Sequence, residues 1–181
     1  MKVGRVYGEF EDHRGRKVVL RTPIWGDLDD LLDMINTAVE ERVDIFADKP
    51  VKRNAEAEWL GRKLAKIEND QVIGLVALCE GKVVGSSEVE KYTGAMSHVG
   101  ELGALVKGGY REAGIGTAML ETLIRESRSE GLEILTLRVY SGNDLALHVY
   151  KKVGFRETGR VPGAIKRDGR IRDLVRMTMK L

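Results

Sequence analysis

Between an apolar stretch ending at Leu105-Val106 and a run that reads as a helix from Thr117, the chain places Arg111-Glu112-Ala113-Gly114-Ile115-Gly116. A strand-to-helix junction offers unpaired backbone N–H groups and the positive end of a helix dipole. Glycines that let the main chain approach closely, with an arginine beside them, therefore favour an anion there. Phosphate is the expected guest. Further along, Asn143 and Tyr150 stand seven residues apart, almost two helical turns, so one helix face presents both to one ligand. Glu101 is a carboxylate inside the mostly apolar segment Gly100-Glu101-Leu102-Gly103-Ala104-Leu105-Val106. There it either lines a cleft or makes an edge ion pair, and strand alternation sets it on the face of Leu105 rather than Val106.

Two familiar phosphate loops do not fit these residues. A nucleotide P-loop requires a lysine where Ile115 stands, and a dinucleotide fingerprint requires a third glycine where Met119 stands.

The elements that must position these groups follow from patterning. Arg5 to Glu11 and Lys17 to Arg21 read as a hairpin across Asp12-His13-Arg14-Gly15. Asp27 is placed to cap a helix whose apolar positions are Leu28, Leu31, Leu32, Ile35 and Val39. Pro50 ends the irregular stretch after it, and 54–68 reads as a second helix. Strands 72–80 and 82–91 meet at the tight Glu80-Gly81-Lys82 turn. A strand over 100–107, a helix to about Ser129, a strand over 132–140, a helix over 143–153 and a C-terminal strand pair complete the order. Such alternation predicts an α/β domain with a mixed sheet, helices on both faces and a ligand where strands end or part.

Bulk properties exclude several functional classes. The 181 residues, 43% apolar and 32% charged, suffice for one domain over 1–181, in which 1–16 reads as an N-terminal strand extension. Thirty basic against 28 acidic residues leave a net charge of +2, which requires neither a nucleic acid nor an anionic membrane as partner. No apolar run reaches the length of a membrane span and the N-terminal residues lack a signal-peptide core, so a cytoplasmic protein is expected. The single cysteine, Cys79, sits in an apolar strand and reads as a buried hydrophobe; with His13, His98 and His148 scattered, no metal site is expected. One glutamine and four asparagines amid abundant Lys, Arg and Glu follow the compositional trend of proteins from hot habitats.

Arg111-x-x-Gly114-x-Gly116 resembles the pyrophosphate-binding signature R/Q-x-x-G-x-G/A of the GNAT superfamily, the N-acetyltransferases that use acetyl-CoA. Asn143-x-x-Ala146-x-x-x-Tyr150-x-x-x-Gly154-Phe155 resembles that family's second signature, and the likeness extends over roughly 17–181. The resemblance implies the GNAT fold: a mixed, mostly antiparallel central sheet with helices on both faces and a splay between two parallel strands. It implies an acetyl-CoA-dependent N-acetyltransferase that passes the acetyl group directly to a primary amine, whether a protein or peptide N-terminus, a polyamine or a small-molecule amine. The alternative is a GNAT-like module that binds acyl-CoA without catalysis.

The same resemblance implies roles. Residues Arg111, Glu112, Ala113, Gly114, Ile115, Gly116 and Thr117 would cradle the pyrophosphate, Arg111 either reaching phosphate or fixing the loop. An amide of Leu105 or Val106 would point at the thioester oxygen, and Asn143 would touch the pantetheine or serve as an N-cap, or both. Tyr150 would give a proton to the departing thiolate, unless it only packs in the core, and Glu101, or alternatively His98, would act as base through water. Metal has no part. For the acceptor site the resemblance points to the first two helices, with Asp27, Asp29, Asp30, Asp33, Glu40 and Glu41, and to the last strand turn, with Arg167, Asp168 and Arg170. The acidic stretch either draws a cationic amine or is a solvated face favouring the helix dipole. A homodimer through the C-terminal strands is compatible with this reading, as is a nucleic-acid role for the basic C-terminal hairpin, which ranks last.

Overall fold

The computed structural model describes residues 3–181. Eight strands form one sheet: β1 (Val6–Glu11), β2 (Lys17–Arg21), β3 (Val72–Cys79), β4 (Lys82–Lys91), β5 (Val99–Val106), β6 (Ile134–Tyr140), β7 (Arg156–Arg167) and β8 (Arg170–Lys180). Their order is β1-β2-β3-β4-β5-β6-β8-β7, with every neighbour antiparallel except β5 and β6. Four helices accompany them: α1 (Leu28–Glu40), α2 (Arg53–Glu68), α3 (Ile115–Ser129) and α4 (Asp144–Lys152).

Strand β3 explains the layering. Its run of eight residues is buried almost throughout, as expected for a strand covered on both faces. Ile73, Leu75, Ala77 and Cys79 join Met119, Leu120 and Leu123 of α3 in the larger core. Val76, on the opposite face, packs with Leu28, Leu31 and Met34 of α1 and Leu60 of α2. Each fully buried Leu or Met in these layers adds roughly 1.5–3 kcal/mol over exposure. Cys79 is 1% exposed, and burial raises its thiol pKa, in keeping with an inert hydrophobe.

Three local expectations change in the folded chain. Asp27 does not cap α1 with its side chain. A short 3-10 turn precedes the helix, so its carboxylate instead takes the Arg21 guanidinium at 2.5 and 2.8 Å and the Ile24 N–H at 2.8 Å. The buried face of α1 includes Met34 and Ala38, with Leu32 and Ile35 only half-buried. Strand β6 starts at Ile134 rather than Leu132, because the Leu132 N–H closes the end of α3 by donating to the Ser127 carbonyl at 3.0 Å. At the sheet edge, β7 carries Pro162 inside a register shift between Val161 and Ile165, where the absent N–H interrupts no ladder bond.

Candidate active site

Strands β5 and β6 pair from Val99↔Ile134 to Leu102↔Leu137 and then part, although β5 continues to Val106 and β6 to Tyr140. The gap opens into a cavity of about 830 Å³. The end expected to take the donor runs from Val106 along Arg111, Gly114 and Thr117 to Tyr150; the other, where an acceptor is expected, is walled by the loop after α1, by β4 and by Glu101 and Arg138.

At the donor end the main chain supplies most of the polarity. The Lys107 N–H donates to the Val84 carbonyl of β4 at 2.9 Å. With unbroken register between β4 and β5, alternation turns the Leu105 N–H toward β4 and the Ala104 and Val106 N–H groups toward the gap. Of the two amides the sequence left open, Val106 therefore faces the cavity with its main chain, and Leu105 lines it with its side chain. Gly114 precedes α3 with φ of +86°, and an added Cβ would lie 2.7 Å from the His13 Nε2. Only glycine fits both conditions. The first-turn amides of α3 beyond it have no intrahelical acceptor.

Arg111 fixes the loop: its Nε donates to the Val106 carbonyl at 2.8 Å and its guanidinium meets Glu41 at 3.0 Å. Glu112, Gly116 and Thr117 line the cavity, whereas Ala113 and Ile115, expected beside the ligand, are fully buried and do not border it. Asn143 caps α4 by accepting from the Ala146 N–H at 3.2 Å and also lines the cavity.

Tyr150 is 8% exposed and stacks edge-on against Phe155 with 6.0 Å between ring centres, yet it borders the cavity. Burial pushes its phenol up to about 12, so it stays protonated at neutral pH with a proton to donate.

The acceptor end is built from charged side chains. Glu101 accepts from the Tyr92 hydroxyl at 2.7 Å and from the Arg138 Nε at 2.5 Å, so it lines the cleft and makes an ion pair at once. Each oxygen retains a further lone pair. Glu88 and Glu90 follow on the adjacent strand, paired with Lys63 at 3.0 Å and Lys66 at 2.5 Å. The loop after α1 is fastened from β6, β7 and β8. Arg172 takes both Asp44 oxygens at 2.6 and 2.7 Å, Arg167 donates to the Val43 carbonyl at 2.6 Å, and the Tyr140 hydroxyl donates to the Ile45 carbonyl at 2.9 Å. Burial raises the Tyr92 and Tyr140 phenols, with the Glu101 bond adding to the rise at Tyr92.

Several sequence candidates lie elsewhere. His98 sits ahead of β5, where its carbonyl receives the Glu133 and Ile134 N–H groups, and it does not border the cavity. Of the acidic residues from 27 to 41 only Glu41 lines the cavity. Asp29 pairs with Arg53, Asp30 with Lys82 and Asp33 with Lys107, as on a solvated helix face. Arg167, Asp168 and Arg170 border a smaller neighbouring pocket with Arg42 and Tyr140. Sequence reasoning missed Tyr92, Arg138, Tyr140 and Arg172; the only hint was the alternation of Glu88 and Glu90 along one strand. Among the described residues no group of His, Cys, Asp and Glu is placed to hold a metal ion, and no helix is long and apolar enough to cross a membrane.

Comparison with known proteins agrees with this geometry. Residues 31–155 match the model of the Acetyltransferase (GNAT) family. The chain is 26% identical over 161 residues to the L-methionine sulfoximine/L-methionine sulfone acetyltransferase of Pseudomonas paraeruginosa, covering 86% of this chain and 90% of that one. It superposes with a TM-score of 0.80 on the crystal structure of ribosomal-protein-alanine N-acetyltransferase from Brucella melitensis, at 29% identity over 90% of this chain and 99% of that one. A phosphinothricin acetyltransferase from Sinorhizobium meliloti in complex with acetyl-CoA shares the fold, with a TM-score of 0.81 at 22% identity, covering 91% of this chain and 88% of that one.

Proposed function

Because the chain belongs to the GNAT family of acetyltransferases, we propose that this cavity passes an acetyl group from acetyl-CoA directly to the primary amine of a small, amino-acid-like acceptor. The observation that carries the reading is the continuity of one cavity from the Gly114 junction, past the parting of β5 and β6, to Tyr150. Amide groups and a helix start at one end suit a pyrophosphate, and the glycine at 114 lets the loop take its left-handed turn hard against His13, where a side chain would not fit. Acetyl-CoA, when bound, supplies an activated thioester.

The protein's own groups then have distinct tasks. Glu112, Gly114, Gly116 and Thr117, which line the cavity, hold the pyrophosphate with backbone N–H groups, and the Val106 N–H faces the oxygen that gains charge during attack. Tyr150, neutral and buried, gives its phenolic proton to the departing sulfur. Glu101 draws a proton from the acceptor ammonium through water, and Asn143 steadies the pantetheine arm. Carboxylates at Glu88, Glu90 and Glu101 beside guanidiniums at Arg138 and Arg172 offer both signs of charge, which suits a molecule with an amine and a carboxylate, the chemistry of the amino-acid derivative named for the Pseudomonas relative. The likeness to the ribosomal-protein-alanine enzyme favours a peptide N-terminus as the second acceptor class.

Calorimetric titration with acetyl-CoA, with ATP and NAD as controls, tests the donor; thiol release with methionine sulfone, phosphinothricin, spermidine and an alanine-initiated peptide tests the acceptor. Binding of acetyl-CoA alone and turnover with the amino-acid derivatives are expected. Binding without thiol release from any amine would favour a non-catalytic acyl-CoA module.

A further inference from the structure

The turn of the β1–β2 hairpin lies against the back of loop 107–114, roughly a hundred residues away in the chain. Asp12 organises that turn. Its Oδ1 accepts from the Arg14 and Arg16 N–H groups at 2.9 and 3.0 Å, and its Oδ2 from the Arg16 Nε at 2.8 Å. Arg16 then covers the Tyr110 ring at 4.3 Å. Arg14 Nη1 donates to the Gly109 carbonyl at 2.7 Å, Arg14 Nη2 to the Arg111 carbonyl at 3.4 Å, and the His13 N–H to the Ala113 carbonyl at 3.0 Å.

These are alternate carbonyls on one side of the loop. No peptide bond among the described residues is cis, and in a trans peptide the carbonyl of one residue and the N–H of the next point in opposite directions. Holding the carbonyls of Gly109, Arg111 and Ala113 toward the hairpin therefore turns the N–H groups of Tyr110, Glu112 and Gly114 away from it. Tyr110 folds back to the Lys107 carbonyl at 3.2 Å, but the Glu112 and Gly114 N–H groups have no backbone acceptor among the described residues, and both residues line the cavity. Glu112 has φ of +59°, a left-handed conformation that a non-glycine residue keeps only when its surroundings impose it.

From this we infer that the hairpin turn is part of the donor site and that Arg14 is a positioning residue: by bridging two loop carbonyls from behind, it aims the Glu112 and Gly114 amides at the pyrophosphate of a coenzyme A thioester. The inference rests on the proposed acetyl-CoA reading. Arg14 acts as a fork, not as a charge alone, because two separate nitrogens of one planar guanidinium each take a carbonyl, a geometry that the single nitrogen of lysine does not reproduce.

The test compares wild type, Arg14→Ala and Arg14→Lys by calorimetry with acetyl-CoA and with acetyl-pantetheine, which lacks the pyrophosphate. Arg14 is exposed, so both variants should fold, and thermal melting verifies it. Expected is a loss of acetyl-CoA affinity on the order of tenfold in Arg14→Ala, unchanged acetyl-pantetheine affinity, and no restoration in Arg14→Lys. Unaltered acetyl-CoA affinity in Arg14→Ala, full recovery by lysine, or an equal loss toward acetyl-pantetheine would each overturn the inference. Failure of the wild type itself to bind acetyl-CoA would remove the underlying reading and the inference together, whereas wild-type binding that ignores Arg14 removes the inference alone.

Discussion

At the proposed donor end of the cavity the main chain supplies most of the polarity, through the amides of Val106, Glu112 and Gly114, held by strand register and by bonds from a hairpin to the loop carbonyls. At the acceptor end they are side chains, Glu88, Glu90, Glu101, Arg138 and Arg172, arriving from four strands and already paired with other charges. A backbone cradle requires little of side-chain identity except where a side chain would obstruct, so a few glycines mark it. A side-chain cluster tolerates many residue choices and can change its guest by repacking, which fits a family whose members keep one donor and differ in acceptor.

That contrast can be broken most severely at Gly114. Substitution by glutamate would press a Cβ to 2.7 Å from the His13 ring in a left-handed conformation and so push the loop off the hairpin that backs it; the expected result is no calorimetric signal with acetyl-CoA, and unchanged affinity would mean the anion binds elsewhere. Tyr150→Phe should separate chemistry from binding. Turnover should fall on the order of 10²–10⁴-fold, the worth of a placed general acid, with acetyl-CoA affinity little altered, because the ring that packs on Phe155 remains.

At the other end, Glu101→Gln is expected to lower kcat/KM for the amine on the order of tenfold or more while leaving acetyl-CoA titrations unchanged; a matched loss at both ends would merge the two regions. Arg172→Met frees Asp44 and loosens the loop at 43–45, so acceptor KM should rise about fivefold, the scale of one partly exposed ion pair, without moving kcat. The smallest effect concerns pH. The Arg16 guanidinium holds the Asp12 carboxyl down to about 2, below the ordinary carboxylate value. Its stabilising contribution is thus complete above about pH 4 and lost as pH falls from there through 2. In Asp12→Asn that part of the melting-temperature profile should flatten, and an unchanged acid limb would show that Asp12 does not anchor the turn.

Features that depend on near neighbours in the chain are legible in the order of the residues alone. Helix and strand periods, the glycine junction at Gly114, the Asn143 cap and the common face of Asn143 and Tyr150 all follow from spacings of a few residues, over which backbone geometry is nearly fixed. The placement of Glu101 on the Leu105 face belongs to the same class. Contacts between residues distant in the chain depend on how the strands and loops pack. Tyr92 and Arg138 reach Glu101 because β4, β5 and β6 are neighbours, and the bond from Lys107 to Val84 selects the Val106 amide for the gap. His98 stands apart from the cavity because it lies before β5, at the end away from the splay. Arg14 meets Gly109 across 95 residues, an encounter fixed by the packing of a hairpin turn against a loop, for which one-dimensional periodicity carries no signal.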